Sequence, residues 1–176
     1  MPLSANGEQK RLNLKGLQFA DCIEADVFRE RLANDPQAFG HFSAVFHMGA
    51  SSSTTETNEP FLNDNNVAYT QELARWALGQ GARFIYASSA ATYGDGSQGM
   101  DDKNDDLARL RPLNRYGASK QAFDLYAQRE GLLNRIVGLK YFNVFGPNEG
   151  HKGEMRSVVN KAFHQIQESG RVRLFK

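Results

Sequence analysis

A tyrosine and a lysine stand four positions apart in the segment "RYGASK", as Tyr116 and Lys120. On a helix this spacing puts both side chains on one face, about 6 Å apart along the axis. A free tyrosine has a pKa of about 10, and a nearby ammonium group favours the phenolate and lowers that value. The pair could therefore act as a base at one small site.

A second segment, "YASSAATYG", ends a predicted strand and contains Ser88 and Ser89. We expect the strand to deliver both hydroxyls to the edge of the sheet at which a following helix could present Tyr116 and Lys120. A serine hydroxyl can hold a substrate hydroxyl or carbonyl, so the trio suits proton transfer coupled to hydride transfer at a carbinol carbon. The alternative is that Tyr116 only packs on its helix while Lys120 is solvated.

The composition limits the classes of function. The chain has 176 residues, enough for one domain with a sizeable core. Its 21 basic and 20 acidic residues give no electrostatic argument for a nucleic acid or an anionic membrane as partner. Cys22 is its single cysteine, which excludes an internal disulfide and a CxxC zinc site, and the histidines show no metal-ligand spacing. No apolar run is long enough to span a bilayer, so we expect a cytoplasmic protein without a metal ion.

Short apolar runs alternate with helical stretches along the chain. "FSAVFHMGA", "RFIYASSAA" and "RIVGLKYFNV" are typical of buried strands, and "LQFADCI" and "RVRLF" suggest two more. The sequence predicts helices over 64–80, 113–131 and 154–169, and another in "EADVFRERLAND". Strands joined by helices pair in parallel through right-handed crossovers. The predicted fold class is therefore α/β, with a partial doubly wound, Rossmann-like parallel sheet.

Ligands bind such sheets at the carboxyl ends of the strands. This rule indicates the loops "HMGASSSTT", "SSAATYGDG" and "NVFGPNEGHKGE", whose residues expose hydroxyls, amides and backbone N–H groups. Residues 94–99, "GDGSQG", match the GxGxxG pattern of dinucleotide-binding turns. They are followed by four aspartates rather than by an apolar helix, so we interpret them as a surface loop.

Together these segments resemble the extended short-chain dehydrogenase/reductase family, which includes NAD-dependent epimerases and dehydratases. Within it, "GASSSTTE" and "NVFGPNEGHKG" are similar to the enzymes that epimerise a nucleotide-activated heptose, and the similarity spans nearly the whole chain. The resemblance implies an isomerase that uses NADP, or NAD, to oxidise and re-reduce C6 of an ADP-linked heptose, a precursor of the lipopolysaccharide core. It also implies a homo-oligomer at full length.

The same resemblance assigns roles to individual residues. The residues that match the family's catalytic groups are Ser89, Tyr116, Lys120 and Lys152, the last as a second acid or base. The residues expected to contact the cofactor are Lys10, Met48, Gly49, Ala50, Ser51, Ser52, Asn65, Lys120, Val144 and Lys152. Those expected to contact the substrate are Ser89, Asn143, Glu154, Lys161 and Phe175. Glu154 and Lys161 depart from the family pattern, which has a small hydroxyl residue and a histidine there.

The resemblance also predicts a division of the chain. Residues 1–145 match an incomplete NAD(P)-binding Rossmann domain without its first glycine-rich βαβ unit, and residues 146–176 match the beginning of a substrate-binding lobe. A partial sheet leaves an edge unpaired, so we expect the segment alone to be marginally stable or prone to aggregate. Two other functions stay open: another nucleotide-sugar epimerase or dehydratase of the same superfamily, and a catalytically silent dinucleotide-binding module.

Overall fold

The computed structural model describes residues 12–102 and 106–173, and its backbone divides into two units. Ile23–Phe142 form the first, called here the sheet unit. The described parts of Met1–Cys22 and Asn143–Lys176 form the second, called the terminal unit. The functional meaning assigned above to residues 1–145 and 146–176 stays a prediction.

Three parallel strands form the sheet, in the order β1 (Ala44–His47), β2 (Arg83–Ser89) and β3 (Ile136–Tyr141). Across the sheet, Val45 pairs with Phe84 and Phe84 pairs with Ile136. Parallel neighbours need a crossover connection between the end of one strand and the start of the next. The predicted α/β class with a parallel sheet is confirmed.

Helices form both crossover connections of the sheet. A further helix, α1 (Ala25–Asn34), comes before β1. Between β1 and β2 lie α2 (Glu59–Leu62), a π-helical segment (Asn63–Ala68) and α3 (Tyr69–Gly79). Between β2 and β3 lie 3₁₀ turns at Ala90–Tyr93 and Leu107–Arg109 and then α4 (Arg115–Arg129). The terminal unit contains a 3₁₀ segment (Gly150–Met155) and α5 (Val158–Ser169), so all four predicted helices are confirmed.

One predicted strand is wrong and another is only partly described. Residues 17–23, "LQFADCI", are irregular, and the side chains of Leu17 and Phe19 are 61% and 55% exposed. A strand forms only where a neighbour pairs with its backbone N–H and C=O groups, and no described strand pairs with this segment. In "RVRLF", residues 171–173 are irregular and the rest lies outside the described residues.

One face of the sheet is covered by helices. Phe84 and Ile136 belong to the same buried cluster as Phe123 and Ala127 of α4. The ring of Tyr86 meets that of Phe123 edge to face, with 4.6 Å between the ring centroids. Phe84 is only 1% exposed, and burial of such a side chain contributes about 1.5–3 kcal/mol. This apolar layer fixes α4 against β2.

The opposite face of the sheet is exposed in the part of the chain that the structure describes. Phe46, Ile85 and Val137 share one row of the strand register on that face. Phe46 is 69% exposed and Val137 is 52% exposed. Leu139 lies two residues beyond Val137, on the same face, and is 37% exposed. Of the two helical layers of a doubly wound sheet, the described residues contain one.

We expect Phe84→Ala to lower the free energy of unfolding by about 3–5 kcal/mol, because it opens a cavity between the sheet and α4. Phe46→Ala makes the same change on the exposed face and should alter that free energy by less than about 0.5 kcal/mol. Urea unfolding followed by circular dichroism measures both values. Equal losses in the two variants would contradict the assignment of the covered and exposed faces.

Candidate active site

The first two turns of α4 carry the tyrosine and the lysine. Asn114 precedes the helix, and its side-chain oxygen accepts a 2.7 Å hydrogen bond from the backbone N–H of Gly117. This cap satisfies one of the N–H groups that a helix leaves unpaired at its start. Tyr116 is half-buried, and Lys120 is only 5% exposed. The helical spacing predicted for the pair is confirmed.

Lys120 is buried, so the alternative of a solvated lysine is wrong. Its ammonium donates a 2.9 Å hydrogen bond to the backbone oxygen of Ala87 in β2. Burial lowers the pKa of Lys120 to about 8, and the nearby Asp124 carboxylate acts against that shift. An ammonium has three N–H donors, and the bond to Ala87 is the one hydrogen bond that the described residues give it. A buried cation with donors to spare is suited to bind ligand hydroxyls.

Ser89 ends β2 and precedes the 3₁₀ turn Ala90–Tyr93. Its side-chain oxygen accepts a 3.1 Å hydrogen bond from the backbone N–H of Ala91, which fixes the side chain at the start of the turn. The residue is 7% exposed. Since the hydroxyl oxygen is the acceptor in this bond, its hydrogen remains to be donated to another group.

The start of α4 lies close to this turn because residue 117 is glycine. A β-carbon at Gly117 would stand 2.7 Å from the backbone oxygen of Ala91 and 3.0 Å from the β-carbon of Pro112. Real β-carbons rarely come this close to a nonbonded atom, so an added β-carbon would push the helix and the turn apart. The glycine therefore allows Tyr116, its neighbour on the helix, and Ser89, two residues before Ala91, to lie in the same part of the sheet unit.

Ser88 does not share this position. Its hydroxyl donates a 2.8 Å hydrogen bond to Asp124 on the helix-covered face, and the residue is 2% exposed. Both serines stand at the carboxyl end of β2, as expected, but the Ser88 hydroxyl is already bonded to Asp124. Successive side chains of a strand point to opposite faces of the sheet, so the two-residue period of β2 could have separated Ser88 from Ser89.

The carboxylate of Asp124 accepts hydrogen bonds from three donors. No role was predicted for this residue from the sequence. Its carboxylate accepts hydrogen bonds from the Tyr86 hydroxyl at 2.7 Å, the Ser88 hydroxyl at 2.8 Å and the Lys140 ammonium at 2.7 Å. Its side chain is 4% exposed. Asp124 lies four residues after Lys120, on the same face of α4. That spacing is the signal by which the sequence could have indicated it.

The loop after β1 is open to solvent at the carboxyl end of its strand. Met48, Gly49, Ala50 and Ser52 are exposed, and Ser51 is half-buried. No described atom lies within 4 Å of the place where a β-carbon at Gly49 would stand. A ligand could therefore approach the backbone of this loop closely.

Asn66 joins this loop to α4, although the sequence indicated its neighbour. Its side-chain oxygen accepts from the Ser51 N–H at 2.9 Å, and its amide nitrogen donates to the Ser51 oxygen at 3.1 Å and to the Ser119 hydroxyl at 2.9 Å. Asn66 is 1% exposed. Asn65 donates instead to the backbone oxygen of Phe61. Nothing in the segment "DNN" distinguishes the two asparagines, and the role of Asn65 stays a prediction.

His47 is buried between the sheet and α3. Its Nε2 atom lies 3.0 Å from the Thr70 hydroxyl. Burial, and then the positive charge of Lys120, lower the pKa of His47 to about 4, so it is neutral at pH 7. Within residues 12–102 and 106–173, no three His, Cys, Asp or Glu side chains are grouped as metal ligands would be. Those residues also contain no helix with the length and apolar character of a membrane span.

In the terminal unit, Lys152 is exposed on the 3₁₀ segment. Glu149, just before this segment, accepts hydrogen bonds from the Gly146 N–H at 2.9 Å and from the N–H and hydroxyl of Ser157 at 2.6 and 2.9 Å. The bonds from the Ser157 and Gly146 N–H groups lower the pKa of Glu149. The carboxylate thereby joins both ends of the short segment that carries Lys152.

Glu154 and Lys161, the two departures from the family pattern, form an ion pair with each other at 3.2 Å. The Glu154 side chain is 94% exposed. An exposed pair of this kind contributes about 0–1 kcal/mol, so either side chain could be released to a ligand. The other predicted residues are Asn143 and Val144, which are exposed, and Lys10 and Phe175, which lie outside the described residues.

Comparison with known proteins shows relatives over nearly the whole chain. The model of the "NAD dependent epimerase/dehydratase family" matches residues 4–176. An ADP-L-glycero-D-manno-heptose-6-epimerase from Nitratidesulfovibrio vulgaris strain Hildenborough is 49% identical over 168 residues. An enzyme of the same name from Fusobacterium nucleatum is 44% identical over 172 residues. Each alignment covers 96% of this chain and 52% of the relative.

A solved structure agrees with these relatives. The crystal structure of the Helicobacter pylori ADP-L-glycero-D-manno-heptose-6-epimerase superposes with a TM-score of 0.73 at 31% sequence identity. The superposition covers 100% of this chain and 54% of the Helicobacter chain. The present chain thus spans about half the length of the relatives that it matches. On the evidence of sequence and fold together, it belongs to the NAD dependent epimerase/dehydratase family.

Proposed function

We propose that this chain supplies the catalytic residues of an ADP-L-glycero-D-manno-heptose 6-epimerase, a cytoplasmic isomerase that inverts C6 of an ADP-linked heptose with NADP as cofactor. The observation that carries the proposal is the buried ammonium of Lys120, one helical turn after Tyr116, on the helix that packs beside the turn after Ser89. The names of the relatives support the substrate. The product would be a precursor of the lipopolysaccharide core.

The residues present fit a nicotinamide dinucleotide. Lys120 has N–H donors that the described residues leave unbonded, in a buried position suited to ribose hydroxyls. The open space over Gly49 lets the backbone of its loop approach a ligand. When bound, the nicotinamide supplies reversible hydride transfer. The other proposed contacts are Met48, Ala50, Ser51, Ser52, Asn65, Val144, Lys152 and Lys10, the last beside the 2′-phosphate that distinguishes NADP from NAD.

Tyr116 would take the proton of the C6 hydroxyl as C6 is oxidised and return a proton when C6 is reduced. Lys120 supplies the positive charge one helical turn after Tyr116 on α4. Ser89 accepts a hydrogen bond from Ala91 and can donate its own hydroxyl hydrogen to the sugar oxygen. Tyr116 would then transfer the proton, and Ser89 would donate a hydrogen bond, at the oxygen atom on C6.

Inversion of one carbon also requires a proton donor or acceptor in a second orientation, and we assign that role to Lys152. The remaining proposed substrate contacts are Asn143, Glu154, Lys161 and Phe175. The ion pair between Glu154 and Lys161 replaces a small hydroxyl residue and a histidine of the family pattern. This pair favours a second candidate function, an epimerase or dehydratase for a different nucleotide sugar.

In the protein that carries this chain, we expect turnover of ADP-D-glycero-D-manno-heptose to its C6 epimer, quantified by proton NMR. Tyr116→Phe should lower kcat by about 100-fold to 10,000-fold, because it removes the proton acceptor. Tyr126→Phe makes the same change farther along α4 and should keep the activity. Turnover of UDP-hexoses alone would support the second candidate. Full activity of a Tyr116→Phe, Lys152→Ala double variant would overturn the catalytic assignment.

We expect Gly117→Ala to lower kcat by about 100-fold, because the added β-carbon forces α4 away from the turn that follows Ser89. Gly79→Ala is the matched control, since a β-carbon there meets no described atom within 4 Å. Steady-state kinetics compare the two variants, and their circular dichroism spectra check the fold. An unchanged kcat in Gly117→Ala would show that the close approach of helix and turn is not needed.

A further inference from the structure

The carboxylate of Asp124 lies at the centre of a buried network beside the proposed catalytic residues. Its Oδ1 accepts from the Tyr86 hydroxyl at 2.7 Å, and its Oδ2 accepts from the Ser88 hydroxyl at 2.8 Å and from the Lys140 ammonium at 2.7 Å. The Asp124 side chain is 4% exposed and that of Lys140 is 17% exposed. Donors from two neighbouring strands thus fix one side chain of α4.

The network continues from Lys140 to Ser89. The Lys140 ammonium also donates a 2.8 Å hydrogen bond to the Thr92 hydroxyl, which in turn donates a 2.8 Å bond to the backbone oxygen of Ser89. Thr92 is 0% exposed, so water does not compete for these bonds. A continuous chain of hydrogen bonds therefore connects Asp124 with the main chain of Ser89.

Asp124 also lies one helical turn from Lys120. Burial lowers the pKa of His47 to about 4 and raises that of Tyr86, so both side chains are uncharged at neutral pH. Among the described groups around Lys120, Asp124 therefore brings the negative charge. Titratable or charged groups on the elements packed against α4 include Tyr86 on β2, Glu59 on α2, Asp64 on the π-helical segment, and Tyr93 and Arg109 on the 3₁₀ turns, beside His47 on β1 and Lys140 on β3. The charge that acts on the pKa of Lys120 is that of Asp124.

We propose that Asp124 is a positioning residue for the reaction proposed above, on which this inference rests. It holds the main chain of Ser89 through Lys140 and Thr92. It also places a negative charge beside Lys120. A buried ion pair adds little net stability, because lost hydration offsets the attraction, so its main effects are on position and charge. Burial lowers the pKa of Lys120 to about 8 while Asp124 acts to raise it, so the lysine stays largely protonated at pH 7.

Three substitutions test whether the charge of Asp124 acts on Lys120. They are made in the protein that carries this chain, labelled with ¹³C-lysine. Asp124→Asn removes the negative charge, so Lys120 should titrate at a lower pH than in the wild type. Lys140→Met removes a positive charge and should move that titration to a higher pH. Asp124→Glu keeps the charge, so its titration should stay near that of the wild type. NMR of the lysine ε-carbons follows the titration without requiring turnover.

Thr92→Val tests the position, because it breaks the link to Ser89 and changes no charge. We expect kcat to fall by about tenfold, the effect of losing one hydrogen bond, here the bond from Thr92 that positions Ser89. The change in KM should be smaller. The titration of Lys120 should be unchanged in this variant. In Asp124→Asn, the limb of the pH–rate profile on which activity falls as Lys120 loses its proton should move to lower pH with the NMR titration.

Opposite shifts in Asp124→Asn and Lys140→Met, with a lower kcat in Thr92→Val, would support the inference. Variants that lower the melting temperature but leave both the titration of Lys120 and kcat unchanged would overturn it, because a purely structural ion pair behaves in that way. If the titrations shift but the wild type does not turn over ADP-heptose, the charge placement stands and the proposed function fails. Should Asp124→Asn not fold, Lys140→Met and Thr92→Val still test both roles.

Discussion

The candidate site depends on the hydrogen bond from the Lys120 ammonium to the backbone oxygen of Ala87. This bond joins α4 to the last residues of β2, close to the start of the helix that carries Tyr116. Burial disfavours the charged ammonium, and the Asp124 carboxylate partly offsets that cost. The outcome is a cation that remains largely charged at neutral pH and keeps N–H donors for a ligand.

The same helix closes the apolar core of the sheet unit. Phe123 packs against Tyr86 and belongs to the cluster around Phe84, while Lys120 and Asp124 make polar contacts with strand residues nearer the carboxyl end of the sheet. A close-packed layer resists small displacements. The apolar contacts therefore give α4 the fixed position that proton transfer over hydrogen-bond distances requires.

The proposed catalytic residues are divided between the two units. Ser89, Tyr116 and Lys120 lie in the sheet unit, and Lys152 lies in the terminal unit on a short segment held by Glu149. In the proposed reaction, the first three handle the proton of one sugar hydroxyl. Lys152, the proposed second proton donor, belongs to a separate set of contacts from those that hold the other three residues.

The sequence by itself determined the α/β class, the four helices and the shared helix face of Tyr116 and Lys120, because each follows from local periodicity or spacing. It did not show that Lys120 is buried, that Asp124 connects two strands, or that Asn66 holds the loop after β1. The strand predicted at residues 17–23 is wrong for a related reason. A strand forms only beside a neighbouring strand, and the sequence of the segment does not show whether one is present. Burial and hydrogen-bond partners were decided by the tertiary structure, because they are made by side chains that lie far apart in the chain and meet only when the sheet and its helices assemble.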